Sequence, residues 1–175
     1  MKLSNSDLLK AAAQIIFSIA IIAVVLLFSN QMAALKDYGY LGVFLISLLT
    51  SATVLIPVPG WAVVIAMSNT LNPYLLGIAA GLGSGLGEIT GYLIGSGTVT
   101  IVDPKHKKHL ELIEKYDVFA IFFLAFIPNP LFDVAGLAAG LVRMPLWKFL
   151  LATILGRILR FILLAYFGAW AFAQF

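Results

Sequence analysis

A four-residue pattern, Ile-Pro-x-Pro, occurs twice in this chain, at Ile56-Pro57-Val58-Pro59 and at Ile127-Pro128-Asn129-Pro130. Each copy sits inside otherwise apolar sequence. Two closely spaced prolines remove two backbone donors and their rings clash with the preceding turn, so neither copy fits inside an unbroken helix. The residue before each proline is also driven out of the helical region. The chain is 62% hydrophobic and only 11% charged, with a mean hydropathy of +1.04. A soluble domain of this length has too much surface for that balance, so the composition points to an integral membrane protein of one compact domain. In hydrocarbon, interrupted backbone survives only where protein or a wet cavity satisfies its polar groups. The two turns are therefore read as the tips of two re-entrant hairpins, with Pro57, Pro59 and Gly60 at one and Pro128 and Pro130 at the other.

The formal net charge is +3. The basic residues lie beside apolar segments, which suits membrane orientation and speaks against nucleic acid as a partner. There is no cysteine, which excludes disulfides, thiol catalysis and sulfur-ligated metals. His106 and His109 have no carboxylate cluster beside them. No serine–histidine–acid set and no phosphate-binding glycine loop ahead of a helix is present. No cofactor, no metal and no enzymatic activity are expected.

Taken in order, the apolar run Ala11 to Phe28 is long enough to approach a full span and lacks a following small-x-small cleavage site, so it reads as a retained signal-anchor helix. Residues 1–40 form this anchor and its linker. The membrane domain then occupies 41–175. Leu41 to Met67 carries the first turn, and Asn69 and Asn72-Pro73 end it. A long helix is expected from Tyr74 to Val102, with two glycine ridges, one of Gly77, Gly81 and Gly85 and one of Gly83, Gly87, Gly91 and Gly95. Such ridges let other backbones approach closely. They serve hairpins of the same chain or a second copy equally, which leaves a homo-oligomer open. Asp103-Pro104 starts a short surface helix running to Asp117. Val118 to Val142 holds the second turn, Arg143-Met144-Pro145 closes it, and Leu146 to Phe172 is a final apolar helix with Trp147 and Trp170 near its ends.

If both hairpins return to the side they enter from, Lys2, Lys10, Lys105, Lys107, Lys108, Lys115, Arg143 and Lys148 fall on one side and only Lys36 on the other. The positive-inside rule therefore favours two re-entrant hairpins, about three full spans and a cytoplasmic amino terminus, in what reads as a prokaryotic cytoplasmic (plasma) membrane. The fold class is all-α. The segments 41–102 and 118–173 share an order of features: Pro57/Pro59, Pro73 and Gly87-Glu88 in one, Pro128/Pro130, Pro145 and Gly156-Arg157 in the other. Because the two hairpins enter from opposite sides, the repeat is inverted, an architecture that transporters use.

Four ionisable residues cannot easily reach water: Glu88, Asp133, Arg157 and Arg160. At 1.5 Å per residue, Glu88 lies roughly 20 Å from either end of its helix and Arg157 about 16 Å in from Leu146. An isolated charge at that depth costs from roughly 3 kcal/mol to more than ten, so these groups should meet one another or line a wet cavity. They form either a structural ion pair or a polar site for a proton, a charged headgroup or both. Glu88 or Asp133 suits a proton carrier. Arg157 suits a phosphate, with Arg160 one turn away and Asn129 adding an amide. Trp61, just past the first tip, is expected to pack against the glycine ridges.

At these residues the chain resembles the DedA family of the VTT-domain (SNARE-associated Golgi protein) superfamily. One stretch that carries the resemblance is Pro57-Val58-Pro59-Gly60 with Gly87-Glu88-Ile89-Thr90-Gly91-Tyr92-Leu93-Ile94-Gly95. The other is Phe126-Ile127-Pro128-Asn129-Pro130 with Ala138 to Phe149. The resemblance covers roughly residues 40–170. It implies two facing re-entrant hairpins and lipid translocation, either scrambling of phospholipids or return of a polyprenyl-phosphate carrier, with proton coupling in some members. Trp61-Ala62 and Ala125 stand where the family often carries an acid and an arginine, which leaves Arg157 as the main cationic candidate. Membrane lipids are thus the first expected partner and protons the second. The rival expectations are a proton-coupled transporter of a small solute and a non-transporting membrane scaffold.

Overall fold

The computed structural model describes residues 9, 12, 16, 38–52, 60–98, 117–127 and 132–174, with only the backbone of Asp117 and of residues 132–135. Among these residues every regular element is helical. After Leu9, Ala12 and Ile16, which are helical and exposed, come α1 (Gly39–Ser51), α2 (Gly60–Met67), α3 (Pro73–Gly87), α4 (Ile89–Thr98), α5 (Asp117–Phe126), α6 (Phe132–Leu141) and α7 (Leu146–Phe172). The rest of the anchor run, the 103–116 segment, and the tip residues Pro57, Pro59, Pro128, Asn129 and Pro130 lie outside the described residues.

Local chemistry sets the boundaries. Asn72 caps α3, its side-chain carbonyl accepting from the amides of Tyr74 (3.0 Å) and Leu75 (3.3 Å), while Pro73 takes the first helical position, where no amide donor is needed. The Asn72 amide in turn donates to the Tyr40 hydroxyl (3.0 Å), tying this turn to the start of α1. At the other interhelical turn, the amide of Arg143 bonds the Gly140 carbonyl and that of Met144 bonds the Ala139 carbonyl, both at 3.0 Å. Arg143 has a φ of +54°. This is a Schellman ending of α6, with arginine in the left-handed position that glycine normally fills.

The single long helix expected from Tyr74 to Val102 is instead interrupted at Glu88, between α3 and α4. Glycines at 81, 83, 85 and 87 weaken the helix before this point. The Thr90 hydroxyl then donates to the Gly87 carbonyl (3.1 Å) and to the Ala52 carbonyl at the end of α1 (2.8 Å). Hydroxyls that compete for backbone carbonyls in this way loosen the helical ladder.

Helix α7 is 27 residues long, about 40 Å at 1.5 Å per residue, and among the described residues it alone is long and apolar enough to cross a membrane. Its inner side carries two packing strips. Ile154, Ile158 and Ile162 press on Gly85, Gly81 and Gly77 of α3, so the two helices run antiparallel. Gly156 lies on α5 instead, where an added Cβ would come within 2.6 Å of the Phe122 carbonyl oxygen and 2.7 Å of the Ala125 Cβ. Its outer side exposes Trp147, Leu151, Leu155, Leu159, Leu163 and Phe167 at four-residue spacing, a continuous apolar stripe of the kind that faces lipid.

The remaining helices fill in around α3 and α7. Helix α1 packs on α3 and α2 on α7, while α5 packs on α7 and α6 on α4. Gly83 and Gly87 meet α1 at Phe44, Leu48 and Ser51, and Gly95 of α4 meets the Leu137 backbone of α6. Gly91 is buried. Two apolar clusters result. One holds Val43, Val64, Leu76, Ala80, Phe161 and Ala165. The other holds Ile121, Ala125, Ala139, Met144, Phe149 and Ala152, with Tyr92 packed against it. In sequence, Glu88 falls between their contributions from α3 and α4, and Arg157 between their contributions from α7.

Candidate functional site

Glu88 and Arg157 meet in that intervening layer. Both are buried, with side chains 2% and 8% exposed, and the Arg157 Nη2 donates to Glu88 Oε1 in an ion pair. Their positions follow from the helix surfaces. On α3 the Gly83/Gly87 strip faces α1 and the Gly81/Gly85 strip faces α7, so Ser84 and Glu88, one turn apart, occupy the surface between them. On α7 the Ala152/Gly156 strip faces α5 and the Ile154/Ile158 strip faces α3, which puts Thr153 and Arg157 on the surface between those two. The charged residues therefore point into the interior from crossing helices rather than outward.

The break at Glu88 is local: the residue keeps right-handed helical dihedrals (φ −65°, ψ −10°) and its carbonyl accepts from the Tyr92 amide at 3.1 Å, so α4 carries on from α3 past the charged side chain. Burial makes the ion pair costly to form and costly to break: removing one partner leaves a charge that costs about 3–5 kcal/mol.

Hydroxyls line the layer. Ser51 and Ser84 share a hydrogen bond at 2.7 Å, and Thr90 reaches both Ala52 and Gly87. On the far side of Glu88, α6 approaches so closely that a Cβ at Gly136 would lie 3.3 Å from Glu88 Oε2. Tyr92, one turn after Glu88, stacks on Phe149 (5.3 Å between ring centroids) and donates its hydroxyl to the Met144 carbonyl. Arg143 is exposed beyond that turn.

Of the site residues expected from sequence, Glu88 and Arg157 are brought together. Arg160 is one turn further along α7, its guanidinium 5.9 Å from the Phe161 ring centroid. Asp133 lies in α6, one turn before Gly136, and its side chain is outside the described residues, as is Asn129. Trp61 departs from expectation. It is 50% exposed on the first turn of α2, and the closest neighbours of Gly77, Gly81, Gly83, Gly85, Gly87 and Gly95 are instead isoleucines of α7 and backbone of α1 and α6. Ser51, Ser84, Thr90 and Thr153 were not singled out in the sequence. The available signal was a shared pattern, Ser84-x-Leu86-Gly87-Glu88 and Thr153-x-Leu155-Gly156-Arg157: a hydroxyl one turn before a charge, with glycine beside it.

Comparison with known proteins adds a family and several distant relatives. A family model described as VTT domain matches residues 58–170. Vacuole membrane protein KMS1 of Arabidopsis thaliana is 42% identical over 52 residues, 30% of this chain and 11% of that protein. Vacuole membrane protein 1 of Homo sapiens is 45% identical over 47 residues, 27% of this chain and 12% of that protein. The vacuole membrane protein 1 homolog of Dictyostelium discoideum is 48% identical over 46 residues, 26% of this chain and 11% of that protein. The match spans about a tenth of the length of these curated relatives. No solved structure matches the chain.

Proposed function

The chain belongs to the VTT-domain family of membrane proteins, and on that premise we propose that it moves lipid between leaflets, the polar headgroup passing the layer that holds Glu88 and Arg157. The observation that carries this reading is the ion pair itself, buried between crossing helices at the point where one of them is interrupted. Interrupted helices whose ends converge on buried charge are how transporters build polar sites in hydrocarbon, and ionisable groups at such depth are functional by default. A guanidinium offers a planar fork of donors that matches phosphate, and Glu88 holds it in the headgroup's absence.

The reading includes two re-entrant hairpins, α1 with α2 and α5 with α6, related as an inverted repeat. Two features support it. Gly87 and Gly156 meet their neighbouring helices through corresponding atoms, and α3 and α7 run antiparallel. The distribution of basic residues supports a cytoplasmic amino terminus in this reading.

The test is reconstitution into liposomes carrying a fluorescent phospholipid that a membrane-impermeant reductant bleaches only in the outer leaflet. Translocation raises the bleached fraction above one half, and Glu88→Gln and Arg157→Gln reduce the rate. Solute flux driven by a pH gradient without lipid movement would replace this reading with a proton-coupled transporter. No flux of either kind would leave a scaffold held by its ion pair.

A further inference from the structure

Helical serines and threonines in this protein mostly satisfy their own hydroxyls. Ser96 donates to the Leu93 carbonyl (3.1 Å), Thr98 to Gly95 (2.8 Å) and Thr50 to Ser47 (3.3 Å). Thr153 departs from that habit. It is 0% exposed, yet no protein group within hydrogen-bonding reach pairs with its Oγ1. Among the described residues the Ser47 hydroxyl is also buried and unpartnered, but Thr153 alone of the two lies one turn from a charged residue, on the same interior surface of α7 as Arg157.

The other half of the molecule shows how such a hydroxyl is satisfied. Gly87 meets the Leu48 carbonyl, the Ser51 Cβ and the Ala52 amide, and Gly156 meets the Phe122 carbonyl, the Ala125 Cβ and the Phe126 amide. Ser84 precedes Gly87 by three residues, as Thr153 precedes Gly156. In this correspondence Ser84 matches Thr153 and Ser51 matches Ala125. Ser84 bonds Ser51 at 2.7 Å, whereas the methyl group of Ala125 offers Thr153 nothing. A buried hydroxyl without a partner is a net cost to the fold, and valine would fill the same space without it.

We propose that Thr153 binds the passing headgroup, its hydroxyl donating to an oxygen of the phosphate that Arg157 takes up. The inference rests on the translocation reading and names the chemistry of its cargo: a phosphate, delivered by a phospholipid or as the free anion. Both groups project from one helix with four-residue spacing, so a tetrahedral anion bound by Arg157 falls within range of a hydroxyl one turn below.

Three variants of the full chain test this in the same liposomes. Thr153→Val removes the hydroxyl and keeps the shape. Its melting temperature should equal or exceed that of the wild type, while phospholipid translocation falls roughly tenfold or more, the worth of one hydrogen bond to a charged group. Thr153→Ser should retain at least half of the wild-type rate. Ala125→Ser recreates the Ser51–Ser84 arrangement and should raise the melting temperature while slowing translocation. Translocation within twofold of wild type in both Thr153→Val and Ala125→Ser overturns the assignment and leaves the lipid reading standing. Rate losses that only track a loss of folded protein overturn it too. Vesicles loaded with inorganic phosphate separate the sources of the group. Phosphate efflux that Thr153→Val abolishes, in a wild type that moves no lipid, keeps Thr153 and removes the lipid reading. A wild type that moves neither overturns both.

Discussion

Gly87 of α3 and Gly156 of α7 each rest on a neighbouring helix through the same three kinds of atom: a carbonyl oxygen, a Cβ three residues later and an amide one residue beyond that. A Cβ at Gly87 would come within 2.9 Å of the Ser51 Cβ, and one at Gly156 within 2.7 Å of the Ala125 Cβ. The obstructing atoms are mostly backbone and cannot rotate away. Gly87→Ala and Gly156→Ala should therefore each lower stability by about 1–3 kcal/mol, the usual cost of overpacking, and by similar amounts. Thermal unfolding followed by intrinsic fluorescence in micelles gives the measurement. A large loss at one position with none at the other would mean that the two contacts do not carry comparable packing. Gly136→Ala is a contrasting case, because its nearest neighbour is the carboxylate of Glu88 at 3.3 Å, which can shift. It should change stability by less than about 1 kcal/mol and slow lipid movement.

The ion pair separates stability from transport. Glu88→Gln or Arg157→Gln alone strands a buried charge, at a cost of about 3–5 kcal/mol. The double variant removes both members of the pair, strands neither, and should recover most of that loss. Lipid movement should stay impaired in all three, since the double variant still lacks the guanidinium. Recovery of transport together with stability would assign the pair a purely structural role.

How far the sequence predicted this arrangement depends on the interaction involved. Helix α7 was readable to the residue, because Pro145 forces its start and the apolar run continues unbroken by proline to Phe172. The approach of Glu88 to Arg157 was readable in outline, because the cost of isolated charge in hydrocarbon demands a partner. The interruption at Glu88 was not, since Thr90 shares its hydroxyl between Gly87 and Ala52 only when α1 is docked against α3. Trp61 was less legible: it is half exposed, and the atoms nearest the ridge glycines are isoleucines and backbone rather than its ring. Thr153 was hidden for a further reason: its pattern repeats that of Ser84, and only the alanine at 125, remote in sequence, distinguishes a satisfied hydroxyl from an unsatisfied one.

Tyr92 links α4 to the turn before α7 by two separable contacts. Its ring stacks on Phe149, and its hydroxyl donates to the Met144 carbonyl. Tyr92→Phe keeps the first and leaves the carbonyl without this donor, so stability should fall by about 1 kcal/mol, up to 3 if the carbonyl is fully dry. Tyr92→Leu should lose roughly a further 0.5–1.5 kcal/mol, the worth of an aromatic pair. Placing each change on a Phe149→Leu background checks the partition. The hydroxyl effect should persist there and the ring effect should shrink. If Tyr92→Phe matches the wild type in chemical unfolding, the hydrogen bond is not a fastening for the turn.

Arg143 closes α6 in a conformation that side chains avoid. With φ at +54° it occupies the left-handed position of the Schellman ending, where a Cβ costs roughly 1–2 kcal/mol and glycine nothing. Arg143→Gly should accordingly raise stability by up to about 1 kcal/mol once the greater freedom of glycine in the unfolded chain is subtracted. Arg143→Ala keeps the backbone strain while removing the charge, so it should not gain. Arg143→Val, branched at Cβ, should lose. The order Gly above Ala above Val, read from unfolding midpoints in one detergent, checks the backbone argument independently of charge. An alanine variant as stable as the glycine one would refute it. In the proposed topology the exposed guanidinium gives a reason for arginine at a position built for glycine: a positive charge at the end of α6 favours the cytoplasmic side for that end. The glycine variant should then show a larger fraction of inverted molecules after membrane insertion, measured by labelling a single cysteine introduced at Gln174, even as its fold becomes more stable.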